Sequence, residues 1–290
     1  MKKRALLFAS VVTSLLAILW HVGCSSDQEL PSTPLTVSGL ERSYNLFVPT
    51  NVPSTPMPLI LAFHGGGGSG EPFPQQEQFE ALAEAQGFAI AFPQGYLLSG
   101  NEGEWQLNTR PDARHDIDFV AAVIDDIAST HSIDSSRIYA IGYSLGSMFT
   151  YEVACHMSDR FAAIASFAGT MPVSPASCEP DRFAPIMHIH GIDDSIIAYG
   201  NTWGWKSWDE VGTMMDIPSL VTYWASKYNC QNESETASAN SAHIVHDACD
   251  ENSRVEHHRL SGGGHGWPES INGTSTPQVI WSFLSGTALP

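Results

Sequence analysis

The stretch RIYAIGYSLGSMFTYEVACH, residues 137–156, changes character in its middle. Arg137–Tyr143 is a run of mostly apolar, β-prone residues, and from Leu145 onward the sequence reads as a helix. Between them lies Gly142-Tyr143-Ser144-Leu145-Gly146, a GxSxG sequence at a strand-to-helix junction. In a parallel sheet this junction is a turn tight enough to hold the serine hydroxyl at the sheet edge, with a glycine two positions to either side making room. The helix starting near Leu145 aims its first amides at the same place, so the Leu145 N–H is a candidate donor to a developing oxyanion. A glycine turn with an incidental serine is the competing reading; the strand before and the helix after weigh against it.

Working outward, strand and helix keep alternating. SYNLFVP reads as a half-alternating strand, PLILAFHGGGG as a buried strand entering a glycine loop, and FEALAEAQGFAIAFPQG as a short helix ending near Gly87 before another strand. Residues 116–130 put Ile117, Val120, Val123, Ile124 and Ile127 on one helical face, with Asp125 and Asp126 outward. FAAIASFAG and PIMHIHG read as buried strands, GTMMDIPSLVTYWASKY as an interrupted helix, RVEHHRL as a strand and PQVIWSFLSG as a final helix. This pattern predicts an α/β fold, a mainly parallel central sheet with helices on both faces, as one domain over residues 37–290. The polar segment NCQNESETASANSAHIVHDAC reads as a surface excursion held at its ends by Cys230 and Cys249.

With 290 residues, 43% of them hydrophobic and only 15% charged, the chain can bury a large core and lacks the profile of a disordered protein. The formal charge of −18 excludes nucleic acid as a partner, the more so because Lys2, Lys3 and Arg4 are among the few bases. Those three precede an apolar stretch over residues 5–20, after which the sequence turns small and polar. Residues 1–23 are expected to be an export signal and residues 24–36 a Ser/Thr/Pro-rich tether. The apolar stretch is short of the roughly 20 residues a transmembrane anchor needs. Cys24, after Gly23 and before two serines, sits where a bacterial lipoprotein keeps its lipidated cysteine, although His21 stands where such sequences usually have Leu. Lipid attachment at the cell envelope and plain cleavage with release are both open. Cys155, Cys178, Cys230 and Cys249 remain, an even number in an exported chain, which points to two disulfides in one of three connectivities; without a close CxxC pair they do not read as metal ligands.

The rest of a nucleophilic site follows in chain order. HIHGIDDSIIAYG comes after a buried strand and SGGGHGWPES after the last strand, giving serine, acid, histidine. His265 is the candidate base. Asp193 and Asp194 compete as its orienting acid, and spacing does not choose between them. Gly66, in the glycine loop after PLILAF, is the candidate second oxyanion donor, with His64 bracing that loop. His115 and His190 read as structural, and at least one of His257 and His258 should point into packing. Tyr143, Trp105, Trp203 and Trp205 are the candidate substrate-binding residues; for the tryptophans, as for Trp208, core packing is the rival reading. Chemistry by these groups needs neither metal nor cofactor.

Taken together, PLILAFHGGGG, DIDFVAAVIDDIA, IDSSRIYAIGYSLGSM, DRFAAIASFAG, HGIDDSIIAYG and GGGHGWP resemble the polyhydroxybutyrate depolymerase and feruloyl or acetylxylan esterase group of the α/β-hydrolases, over roughly residues 40–285. The resemblance implies an exported serine esterase acting on a feruloyl, acetyl or hydroxyalkanoate ester. It carries the acid role to Asp194, and implies the pairs Cys155–Cys178 and Cys230–Cys249. Leu145 and Ser147 stand where relatives often have Asn, Ala or Gly, and Ala198 replaces a frequent Pro, which leaves the substrate open; the added substrate-binding module of many polymer depolymerases is not visible. A serine peptidase on the same scaffold and a non-catalytic, lipid-tethered carbohydrate-binding protein are the alternatives.

Overall fold

The computed structural model describes residues 30–51, 54–66, 73–99, 102–110, 114–175, 177–204 and 211–290. The expected export signal, Cys24, Trp205 and Trp208 lie outside the described residues. Ten strands form the main sheet: β1 (Ser32–Val37), β2 (Leu40–Phe47), β3 (Met57–Phe63), β4 (Ala89–Pro93), β5 (Ile133–Tyr143), β6 (Ala163–Phe167), β7 (Ile186–Gly191), β8 (Asn232–Ala237), β9 (Ser241–Asp247) and β10 (Val255–Leu260). The helices are α1 (Gln76–Gln86), α2 (His115–Thr130), α3 (Leu145–His156), α4 (Ile217–Lys227) and α5 (Thr276–Leu284).

The sheet runs β1-β2-β4-β3-β5-β6-β7-β10-β9-β8. From β4 to β10 every neighbouring pair is parallel, and at both edges the pairing turns antiparallel. Every residue of β3, β4, β6 and β7 is buried, as continuous apolar runs require of strands covered on both faces. Two apolar clusters result, one on each side: Phe119, Val120, Phe149 and Trp224 belong to the first, Phe79, Phe88, Ile280 and Trp281 to the second. The helix ends carry local signals. Gly87 closes α1 in the left-handed conformation at φ 75, and Asp216 caps α4 by accepting from the Ser219 amide at 2.9 Å.

Two segments differ from the sequence reading. Ser32–Val37, read as part of a tether through residue 36, is a strand paired antiparallel with β2 through a turn at Ser38-Gly39, both at positive φ. The ordered sheet therefore begins before residue 37. The polar excursion between Cys230 and Cys249 is a hairpin of β8 and β9 that widens the sheet. All six residues of β8 are exposed, and its two glutamates suit an edge that must not pair further. The pairs Cys155–Cys178 and Cys230–Cys249 are both disulfide-bonded, the second across the base of this hairpin.

One buried ion pair ties α2 to the sheet. Arg42 on β2 lies 2.7 Å from Asp116 in the first turn of α2, its guanidinium stands 3.9 Å over the Phe119 ring, and its Nη2 donates to the Gln94 carbonyl at 3.0 Å. Asp116 also accepts from the Gln106 amide at 2.6 Å. Burial lowers the Arg42 pKa while Asp116 works the other way. Replacing Arg42 alone by Met strands the buried carboxylate and should cost about 3–5 kcal/mol in urea denaturation. The double change Arg42→Met, Asp116→Leu should recover most of that loss, and a single-variant cost under about 1 kcal/mol would refute the strut.

Candidate active site

The turn at Gly142–Gly146 is shaped by contact more than by glycine's conformational freedom. A Cβ on Gly142 would lie 2.2 Å from the Gly146 carbonyl oxygen, and one on Gly146 would lie 2.1 Å from the Phe63 carbonyl oxygen at the end of β3. The strained dihedrals fall on Ser144 itself, at φ 52 and ψ −116. Its amide donates to the Phe167 carbonyl at 2.9 Å and its carbonyl accepts from the Met148 amide at 3.0 Å, so β6 and α3 fix it from both sides. Leu145 opens α3, and Gly66 lies against it, since a Cβ there would stand 3.5 Å from Leu145 Cδ2.

The loops after β7 and β10 meet this turn. His265 Nδ1 donates to Asp194 Oδ2 at 2.8 Å, and the Ser144 hydroxyl lies 2.9 Å from His265 Nε2. With the Nδ1 proton committed to the carboxylate, Nε2 presents its lone pair to the hydroxyl. Asp194 Oδ1 accepts from the Ile196 and Ile197 amides, both at 2.8 Å. Burial pushes the Asp194 carboxyl up, but hydrogen bonds from His190, His265 and these amides more than offset it and hold the group below the usual carboxylate range. Asp193 is exposed, and its amide donates to Gly263 at 2.9 Å, holding the loop that carries His265. The structure therefore brings Ser144, Asp194 and His265 into one hydrogen-bonded row, with Asp193 outside it.

Three comparisons bear on this arrangement. Residues 42–178 match the family model of the esterase PHB depolymerases. NocK of Nocardia uniformis subsp. tsuyamanensis, named as an esterase, is 29% identical over 84% of this chain and 75% of its own length. A bifunctional acetylxylan esterase/xylanase of Neocallimastix patriciarum is 25% identical over 85% of this chain and 33% of its own. The chain thus spans about a third of that fungal protein. An acetyl xylan esterase from Aspergillus awamori has the same fold, with a TM-score of 0.62 at 17% identity over 88% of this chain and 99% of that one. The chain has the α/β-hydrolase fold, and the proteins it is similar to are carboxylic-ester hydrolases.

Around the hydrogen-bonded row the expected pocket residues divide. Trp105 is a correction: it is wholly buried, stacked on Phe149 with ring centroids 4.8 Å apart, and its Nε1 donates to the His64 carbonyl at 2.9 Å. It offers no surface to a substrate and supports the Gly65-Gly66 loop from beneath. His64 braces that loop as expected, with Nδ1 2.7 Å from the Gly65 carbonyl and Nε2 accepting from the Gly95 amide at 2.9 Å. Trp203 is half-buried against the first apolar cluster. Tyr143 is half-buried, and its hydroxyl donates to the His265 carbonyl at 3.1 Å, so it holds the histidine loop. Trp267 was missed: it packs 4.9 Å from Phe167 and 5.4 Å from Phe73, and its Nε1 donates to Gln75 at 3.0 Å. The signal lay two residues after His265 in the sequence.

A second polar group sits away from this row. His243, Glu256 and His258 each bring a ligand-type atom within 4.8 Å of the others. The two imidazoles stack with centroids 4.2 Å apart and planes 5° from parallel, so their in-plane lone pairs run side by side and do not converge. Glu256 is also engaged by Arg254 at 2.6 Å and His243 at 2.8 Å. The group is an ion-paired patch of the sheet.

Three buried histidines set an acid limit on stability. Burial, with smaller contributions from neighbouring charged groups, pushes His188 well below the ordinary value, His257 down to about 3 and His258 down to about 4. Unfolded histidine takes up its proton near pH 6.5, so below that pH the unfolded chain binds protons that the folded chain refuses. This stability is present above about pH 6.5 and is lost as pH falls toward 4, at about 1.4 kcal/mol per pH unit for each histidine. Asp194, with its carboxyl lowered, adds loss of the same sign below about pH 4. Urea midpoints should fall steeply between pH 6.5 and 4.5, and a flat profile there would contradict the neutral burial.

Proposed function

We propose that this protein is an exported serine carboxylic-ester hydrolase that works through an acyl-enzyme, on feruloyl, acetyl or hydroxyalkanoate esters. The observation that carries the reading is the Asp194–His265–Ser144 row at 2.8 and 2.9 Å. Ser144 Oγ attacks the ester carbonyl carbon while His265 Nε2 takes its proton, and the Leu145 and Gly66 amides receive the charge developing on the carbonyl oxygen. As the tetrahedral intermediate collapses, the C–O bond to the alcohol breaks and His265 returns the proton to the departing oxygen. Water deprotonated by the same imidazole then attacks the acyl carbon, releasing the acid and restoring the serine. Asp194 holds the imidazole in the required tautomer and stays ionised throughout.

The substrate class comes from relatives named as acetylxylan and feruloyl esterases, together with the family match. Export is supported by the basic, then apolar N-terminus and by two disulfides, which persist in oxidising compartments. No helix among the described residues is long and apolar enough to cross a membrane. Attachment, where it occurs, is through lipid on Cys24.

Methyl ferulate, acetylated xylan and hydroxybutyrate oligomers, offered to wild type and Ser144→Ala, test the reading. Wild type should hydrolyse at least one, and Ser144→Ala should lose on the order of 10⁴-fold or more in kcat. A fluorophosphonate should label wild type alone. Turnover of peptide p-nitroanilides in place of esters would move the protein to the peptidases, and glycan binding without label would make it a binding protein.

A further inference from the structure

The far side of the Asp194 carboxylate carries a second constraint, which rests on the esterase reading above. Asp194 Oδ2 lies 3.3 Å from His190 Nε2, and the same nitrogen lies 2.9 Å from the Ile197 carbonyl. A carboxylate and a carbonyl only accept, so His190 Nε2 bears the hydrogen. His190 Nδ1 lies 3.1 Å from His188 Nε2, and His188 Nδ1 lies 2.7 Å from the Tyr151 hydroxyl. All three side chains are buried at 1% exposure or less. The Ser166 hydroxyl also stands 3.3 Å from His188 Nδ1, and with neutral imidazoles one assignment fits every contact, that nitrogen accepting from both hydroxyls. The Tyr151 hydroxyl donates to His188, His188 Nε2–H donates to His190, and His190 Nε2–H donates to Asp194 and Ile197. Every donor points toward the carboxylate, an arrangement in which each bond polarises the next.

We propose that His190 is a positioning residue for ester hydrolysis, held in its donating tautomer by His188 and Tyr151. Ser144 caps α3 and Tyr151 lies within the same helix, so one helix fixes both ends of the row. His257 stands beside the chain without entering it: its Nδ1 donates to the His188 carbonyl at 3.1 Å and its Nε2 meets the Tyr199 hydroxyl at 3.1 Å. Burial keeps His188 neutral, as the relay requires. Without His190, Oδ2 has the His265 bond alone and the Ile197 carbonyl loses its partner, so the carboxylate, still held at Oδ1 by the Ile196 and Ile197 amides, can pivot about that oxygen and shift His265 relative to Ser144.

His190→Phe, His190→Gln and Tyr151→Phe separate this role from mere packing. Phe removes the donor, whereas the Gln side-chain amide can donate to the same acceptors. For His190→Phe we expect kcat on an ester that wild type hydrolyses to fall about tenfold to a hundredfold, with KM within about twofold. His190→Gln should recover to within about threefold of wild type, and Tyr151→Phe should lose several-fold in kcat. Nitrogen-15 shifts of wild type should show His190 protonated at Nε2 and bare at Nδ1. Protonation at Nδ1, a folded His190→Phe within twofold of wild-type kcat, or Gln as damaging as Phe would each overturn the proposal. Should His190→Phe fail to fold, Tyr151→Phe and the wild-type nitrogen pattern decide. A wild type that hydrolyses no ester and takes no fluorophosphonate would instead remove the esterase reading, while the nitrogen pattern still judges the donor chain.

Discussion

The first turn of α3 rests directly on the end of β3. A side chain at Gly146 would drive its Cβ to 2.1 Å from the Phe63 carbonyl oxygen, so the helix reaches this position only because that residue has no side chain. Because α3 starts there, its amides open at the carboxyl ends of the parallel strands, where ligands of open α/β sheets collect. Ser144 takes up the strain of the turn, a cost on the order of 1–3 kcal/mol. It can do so because β5 and β6 hold it within a sheet whose inner strands are buried on both faces.

Two buried histidines carry this geometry outward without transferring protons. His64 donates from Nδ1 to the Gly65 carbonyl and accepts at Nε2 from Gly95, linking the glycine loop after β3 to the loop after β4. The carbonyl next to Gly95, that of Gln94, is held by Arg42, so the buried ion pair with Asp116 reaches the candidate oxyanion loop through two hydrogen bonds. His190 has the corresponding place beside Asp194, donating with one nitrogen and accepting with the other. An imidazole used at both nitrogens has one permitted tautomer, which suits it to fixing geometry.

Much of this was legible because it depends on local rules. Continuous apolar runs gave the inner strands, and the helical face of Ile117, Val120, Val123, Ile124 and Ile127 gave α2, since periodicity and burial leave a direct trace. The order of Ser144, Asp194 and His265 along the chain was legible for the same reason, while the choice between adjacent aspartates came from family resemblance. What was not legible depends on pairing across the fold. Ser32–Val37 looks like a tether because it continues a polar Ser- and Pro-bearing run and Pro34 argues against a strand, and it becomes a strand only through its pairing with β2. Trp105 looked like a pocket wall because an indole suits both a cleft and a core. Its burial is decided by Phe63 and Phe149, far away in sequence. His190 read as a structural histidine, because a strand register does not reveal that the next loop folds a carboxylate back onto it.

That loop explains how two neighbouring aspartates can serve one site. Asp194 turns inward and gives its side chain to His265 and to its own loop amides, while Asp193 points to solvent and gives only its backbone. The Asp193 amide holds Gly263, two residues before His265, so a single turn after β7 sets the position of the acid and of the loop bearing the base. The separation between acid and base is thereby fixed by the main chain, and no long flexible side chain has to set it. The arrangement tolerates no bulk beneath it: a Cβ on Gly191 would stand 2.1 Å from the Gly263 carbonyl oxygen. Glycine at the end of β7 is therefore as much a requirement of the row as the three side chains that form it, because a methyl group there would push the histidine loop off the turn that positions it.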